Sequence, residues 1–242
     1  MNDNNTGQAR TVTGKWTMRL VYAGITLFII GLVIGQVGLA PFAAMLSITF
    51  ASLFTIIAAI VVIVGIVRTR SIANVSAIGW LAVTLGALSL SYASNMGGGA
   101  PIHDISTNTQ DPPAFVIIAI LRGDNDNPAD YLDDGSAEQQ AKAYPDIKTI
   151  VLELDKEAAF AAALAAAESM GWKIIASEPA EGRIEATATT PFVGFKDDVV
   201  IRVRSGDTGT LIDVRSKSRI GKGDMGVNAD RIRAYTAKLT GS

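Results

Sequence analysis

LVYAGITLFIIGLVIGQVGLAPFAAMLSITFASLFTIIAAIVVIVGIV, residues 20–67, runs for 48 residues between Arg19 and Arg68 without one ionisable side chain. Crossing about 30 Å of hydrocarbon takes roughly 20 apolar residues, so the stretch has room for two spans. They are read at 20–39 and 42–67, broken at the soft patch from Gln36 to Pro41. Pro41 suits the break, because it donates no helical hydrogen bond and fits the first turn of a new helix. After Arg68 and Arg70 a second uncharged run of 32 residues reaches Ile102. It supplies a third span at 75–93, ended by Asn95 and Gly97-Gly98-Gly99.

The basic residues orient these spans. Arg10, Lys15 and Arg19 precede the first, and Arg68 and Arg70 lie between the second and third. The positive-inside rule then keeps the tail, residues 1–19, and the Arg68–Arg70 loop in the cytoplasm. Three crossings place everything after Gly97 outside. A cleaved signal peptide is the competing reading of the first span, but the apolar segment exceeds a signal h-region and Pro41 follows the small residues directly. The chain has no cysteine, so an oxidising compartment is allowed but no disulfide framework exists. Ion pathways usually carry ionisable groups inside the spans, and these spans have none. An anchor, residues 20–95, is the expectation, with membrane lipids as its first partner. Gly31 and Gly35 have the small-xxx-small spacing of close helix packing, either within the chain or against a second copy in a homo-oligomer.

Beyond position 100 lie 22 of the 23 acidic residues and 16 of the 21 basic ones. That acidic excess argues against nucleic acid as a partner. Residues 96–144 read as an irregular extracytoplasmic extension rich in Gly, Pro and Asp. Asp124 to Asp134 invites a calcium reading but lacks the glycine and the glutamate of an EF-hand loop. One histidine and no cysteine also leave zinc without ligands. No metal or cofactor is expected.

From Ile147 the periodicity sharpens. Ile150, Leu152 and Leu154 alternate as a strand, and Asp155 caps a helix that ends at Gly171. Four more strands follow: 172–177, 183–190, 198–204 and 210–218. Each later one carries apolar residues on one face (Ile184, Val199, Ile201, Val203, Ile212, Val214) and charged ones on the other (Arg202, Arg204, Asp213, Arg215, Lys217). A last helix spans 225–239 behind Asp224. The fold class is α+β: three transmembrane helices, then an extracytoplasmic domain at 145–242 with a largely antiparallel sheet. Two helices cover its apolar face, and the charged face is read as solvated.

Short motifs then fall in order: His103-Asp-Ile-Ser-Thr107, Asp111-Pro-Pro-Ala-Phe115, Asn127-Pro-Ala-Asp-Tyr131, Ala143-Tyr-Pro-Asp-Ile147, Glu181-Gly-Arg-Ile-Glu-Ala186, Phe192-Val-Gly-Phe-Lys-Asp-Asp-Val199, Arg215-Ser-Lys-Ser-Arg-Ile-Gly221 and Asp224-Met-Gly-Val-Asn-Ala-Asp-Arg-Ile-Arg233. Over residues 100–240 the chain resembles the bacterial domain-of-unknown-function family 1499. The resemblance implies a membrane-anchored or exported protein, and no catalytic residue comes with it. Localisation in the bacterial inner membrane, with the C-terminal domain periplasmic, is expected.

Two candidate sites remain. His103 with Asp104, near the hydroxyls of Ser106 and Thr107, is the pair a small hydrolase would use. Arg215, Lys217, Arg219 and Lys222 run off the last strand toward the helix carrying Asn228 and Arg231, an arrangement suited to a phosphate, carboxylate or lipid headgroup. The leading expectation is a non-enzymatic binding module for a ligand or protein partner. A small periplasmic hydrolase and an assembly factor of a membrane complex are the alternatives.

Overall fold

The structure is a computed structural model that describes residues 15–37, 40–70, 72, 75–95 and 99–241. The tail with Arg10, and Gly97 and Gly98 of the expected third-span end, lie outside the described residues. The chain divides into two compact units, one holding the N-terminal helices and one the C-terminal domain.

In the first unit α1 (Lys15–Val37) and α3 (Ala77–Asn95) both pack on α2 (Pro41–Thr69). Pro41 occupies the first turn of α2, where its missing N–H costs nothing. Small residues set the spacing. A Cβ on Gly31 would fall 2.9 Å from Ile48 Cγ1 and 3.0 Å from the Ala44 carbonyl oxygen, so Gly31 is taken up against the chain's own second helix. Gly86 meets Ala59 the same way at 2.8 Å, and the Thr55 and Ser89 hydroxyls lie 3.3 Å apart between α2 and α3. The outer surface of these helices is apolar: Phe28, Ile30, Phe50, Leu53, Ile60 and Val61 are all exposed. Helices α1 and α2 are long and apolar enough to cross a membrane, whereas the apolar part of α3, Ala77–Ser91, is shorter.

The second unit contains β1 (Asp104–Ser106), α4 (Ile117–Leu121), α5 (Ser136–Ala143), β2 (Ile150–Leu152), α6 (Lys156–Ser169), β3 (Lys173–Glu178), β4 (Arg183–Thr189), β5 (Lys196–Ser205), β6 (Thr210–Ser218) and α7 (Val227–Thr240). Its six strands form one antiparallel sheet in the order β1-β6-β5-β4-β3, with β2 pairing the other end of β6. Helices α6 and α7 lie on the apolar face, over Ile184, Val199, Ile201, Ile212 and Val214. Alanines at 159, 163 and 167 let α6 approach closely, and each buried isoleucine or valine beneath contributes about 1.5–3 kcal/mol. Tyr235 of α7 stacks on Trp172 at 5.3 Å and donates its hydroxyl to the Ala163 carbonyl at 3.0 Å, tying the two helices together.

Local signals act where expected at α6: the Asp155 carboxylate accepts from Ala158 N–H at 2.8 Å, and Gly171 adopts φ 72. At α7 the geometry shifts by two residues. The helix begins at Val227 behind Gly226, and Asp224 reaches forward to accept from Gly226 N–H at 2.9 Å and Asn228 N–H at 2.6 Å.

The largest departure from the sequence reading concerns the charged face. It is not solvated. Residues 107–135 of the extension cross it, so Asp213, Arg215 and Lys217 are buried, as are Asp104, Glu185 and Asp198. The extension also contributes more structure than its composition suggests, with β1 at the sheet edge and α4 following Val116. Elements of three and five residues are too short for periodicity to reveal.

Candidate functional site

Alternation along β6 puts Asp213, Arg215 and Lys217 on the face opposite Ile212, Val214 and Ser216. Register supplies their neighbours: Asp104 and Asp198 flank Lys217, and Arg202 faces Asp213. Opposite charges thus sit across the strands before any side chain from elsewhere arrives. The covering segment then closes each group. The Arg215 guanidinium pairs in two-pronged fashion with Asp104, both contacts at 2.8 Å, and donates to the Pro113 and Ala129 carbonyls. The rings of Phe115 and Tyr131 lie 5.0 and 5.1 Å from it. Arg122 and Arg219 both pair with Asp198, at 3.0 and 2.9 Å, and Thr187 donates its hydroxyl to the same carboxylate. Glu185 accepts the N–H groups of Val116, Ile117 and Ile118 and pairs with Arg183. A carboxylate there anchors the start of α4, whose free N–H groups favour negative charge.

This polar layer divides the residues singled out from sequence. Arg215 holds the covering segment to the sheet through the Pro113 and Ala129 carbonyls, and Arg219 ties the end of β6 to Asp198 and Thr187 of the neighbouring strands. Asn228 bonds Ser216, Ser218 and the His103 carbonyl, and Arg231 pairs with Asp197 at 2.6 Å and bonds Ser216. These four serve contacts within the fold. Lys217 and Lys222 instead share a cavity of about 290 Å³ with His103, Asp104, Leu132 and Asp134, its wall completed by Pro101, Ile102, Ser136 and Gln139.

Lys217 is the buried cation of that cavity. Its ammonium contacts Asp104 at 3.0 Å and donates to the Asp130 carbonyl at 2.7 Å. Both contacts hold the ammonium at the wall of the cavity. Burial pulls its pKa below the ordinary lysine value, with Asp104 opposing the shift. Lys222 is exposed at the mouth, and its carbonyl lies 3.3 Å from His103 Nδ1. Across the cavity Asp134 accepts from the Ser136 hydroxyl and N–H, which hold its carboxyl below the usual range.

The hydroxyls next to His103 are engaged elsewhere. Ser106 Oγ donates to the Asn108 carbonyl at 2.9 Å, and Thr107 Oγ1 accepts from Val214 N–H at 2.8 Å. Asp104 faces Arg215 and Lys217. No cluster of three or more metal-ligating side chains forms among the described residues.

Sequence reasoning missed Asp134, Ser136 and Gln139 as cavity residues, and Phe115, Arg122, Tyr131, Glu185 and Asp198 as the frame. Their signal was present in part: a strand face carrying three charges in alternation requires counter-charges from somewhere, and the acid-rich extension is the segment that can supply them.

No curated protein matches the chain. A family model described as a protein of unknown function, DUF1499, matches residues 104–239. The match opens on Asp104, partner of Arg215 and Lys217, and closes in α7, so it takes in the sheet, its polar layer and most of the cavity wall. It covers more than half of the sequence, and the chain belongs to the DUF1499 family.

Proposed function

We propose that this protein is a non-enzymatic, membrane-anchored binding module. In this reading three helices cross the bacterial inner membrane, the N-terminus is cytoplasmic, and the C-terminal domain stands in the periplasm. The cavity beside Lys217 and Lys222 then receives an anionic group of a small ligand. The observation that carries the binding role is the Lys217 ammonium: a buried cation at the wall of a cavity that Lys222 also lines. A volume of about 290 Å³ sits at the small end of ligand pockets, which run to about 300–1,000 Å³. Support for the anchor comes from the exposed apolar surface of α1 and α2 and from Arg68 ending α2. Helix α3, at 19 residues, reaches about 28 Å, enough for a thin third crossing.

Topology is tested by fusing alkaline phosphatase after Ser242. An active fusion is expected; an inactive one with a protease-protected tail would sink the placement of the domain. Binding is tested on the full chain in nanodiscs by thermal shift with inorganic phosphate. Phosphate is expected to raise the melting temperature. Lys222→Met, at an exposed position, should weaken binding about tenfold or more, since a hydrogen bond to a charged group is worth about 1.5–3 kcal/mol. Equal shifts in the wild type and the variant would remove the cavity from consideration.

A further inference from the structure

Beside its two lysines, the cavity wall carries a third group able to hold positive charge, His103. The residue is firmly seated: its carbonyl accepts from Ser218 N–H at 2.9 Å and from Asn228 Nδ2 at 3.2 Å. Its ring is half-buried, and Nδ1 lies 3.3 Å from the Lys222 carbonyl oxygen. A carbonyl oxygen only accepts, so Nδ1 carries the hydrogen and donates. That contact fixes the tautomer. In the uncharged ring Nε2 then bears a lone pair, which turns anions away. In the charged ring the Nδ1 bond stays as it is, and Nε2 gains a hydrogen that an oxyanion can accept. One proton thus converts a repelling part of the wall into a cationic donor, alongside Lys217 and Lys222.

Charged groups reach this region from each element that meets it. At the start of β1, Asp104 is occupied by Arg215 and Lys217. Lys217 comes from β6, and Lys222 from the loop that follows. The segment before α5 brings Asp134; bonds from Ser136 hold its carboxyl below the usual range, and the charge of His103 adds to that lowering. From α5 the lining side chain is the uncharged Gln139. Ahead of α7, Asp224 accepts from Gly226 and Asn228 N–H groups while burial pushes its carboxyl up. Arg231 of α7 is paired with Asp197. Asp134 is thus the carboxylate that faces the charged ring, whereas Asp104 is spent on Arg215 and Lys217. Histidine is the side chain that ordinarily changes charge between about pH 5 and 8.

We infer that His103 is the third donor of the anion site, and that the cavity takes up a small oxyanion together with a proton, carried at Nε2. This rests on the binding role proposed above, and gives that site a further residue and a dependence on pH. The coupling is reciprocal: a proton that strengthens anion binding is itself held more tightly, by the same factor, once the anion is in place. One added hydrogen bond to a charged group corresponds to roughly tenfold or more in affinity.

The test is titration calorimetry of sulfate into the full chain in detergent, at constant ionic strength, at about pH 5.5 and about pH 8. Sulfate serves because its own charge stays the same across that interval, unlike that of phosphate. Affinity about tenfold or more higher at the lower pH is expected. Near neutral pH, two buffers of different ionisation enthalpy should reveal proton uptake on binding. His103→Gln keeps an N–H for the Lys222 carbonyl but cannot become charged, and should lose both the pH dependence and the proton uptake. His103→Lys, charged throughout, should bind as tightly at the upper pH as at the lower. Wild-type affinity that ignores pH, or binding without proton uptake, overturns the inference and leaves the binding role standing. A pH dependence that survives in His103→Gln overturns it as well, and assigns the titration to Asp224. No sulfate binding at either pH removes the binding role and this inference together. Proton uptake by the wild type decides the matter even where a variant fails to fold.

Discussion

Asp104→Ala is expected to cost the C-terminal domain about 4 kcal/mol, the usual range for removing one partner of a buried ion pair being about 3–5 kcal/mol. The reason lies in what is left behind. Among the described residues Asp104 is the carboxylate paired with Arg215, and it shares Lys217 with a carbonyl; all three side chains are almost fully buried. Without the carboxylate two buried cations remain, Arg215 between the rings of Phe115 and Tyr131 and Lys217 at the cavity wall. Domains are stable by only about 5–15 kcal/mol, so such a loss leaves little margin. The measurement is urea unfolding of the full chain in detergent. It is followed by fluorescence of Trp172, which lies in the domain core while Trp16 and Trp80 lie in the helices. A loss below about 1 kcal/mol would mean that water reaches the site and screens it. A companion triple variant sharpens the test. Replacing Asp104, Arg215 and Lys217 together by Leu, Met and Met removes the charges with their desolvation cost, and should recover most of the lost stability. Recovery would show that the triad fixes the seat of the covering segment more than it adds net stability.

The second large effect is expected at Asp198. Its carboxylate takes contacts from Arg122, Arg219 and Thr187, and is completely buried. Asp198→Ala should cost about 3 kcal/mol, somewhat less than Asp104→Ala, because Arg219 is partly exposed and can turn to water whereas Arg122 cannot. The consequence should also be local. Arg122 donates to the Asn127 and Pro128 carbonyls, so it pins the segment leading out of α4. Hydrogen exchange in the variant should therefore accelerate first across residues 116–128, with the apolar face of the sheet still protected. Uniform acceleration over the domain would contradict a local role. The two substitutions should not be additive, since Asp198 is the register neighbour of Lys217, which contacts Asp104.

Much of the fold could be read from the sequence because its signals are local. Asp155 announces α6, Gly171 closes it, and alternation from Arg183 to Ser218 yields the strands and the inward set Ile184, Val199, Ile201, Ile212 and Val214. The long uncharged runs likewise mark the helices that pack on α2. What the sequence did not disclose is long-range closure. Alternating charges on a strand look the same whether they face water or a second polar layer. The difference lies in Asp104 and the carbonyls of Pro113, Ala129 and Asp130, which no periodicity connects to Arg215 and Lys217. The candidate site was legible to the same extent. Lys217 and Lys222 lie in the basic run from Arg215, but the division between cavity and framework depends on which of its members the extension covers. His103 reached the cavity wall by the same route, through its proximity to Lys222 across 119 positions of sequence.

The clasp between Asp104 and Arg215 joins residues 111 positions apart. It therefore sets a timetable for the emerging chain. At about 5–20 residues per second, roughly 6–20 s of synthesis separate the first partner from the second. During that interval the extension, with Phe115 and Ile118, has no sheet on which to settle. The strands that receive it are also among the last segments made. A membrane anchor of the kind proposed would limit this waiting segment's encounters with other unfinished chains.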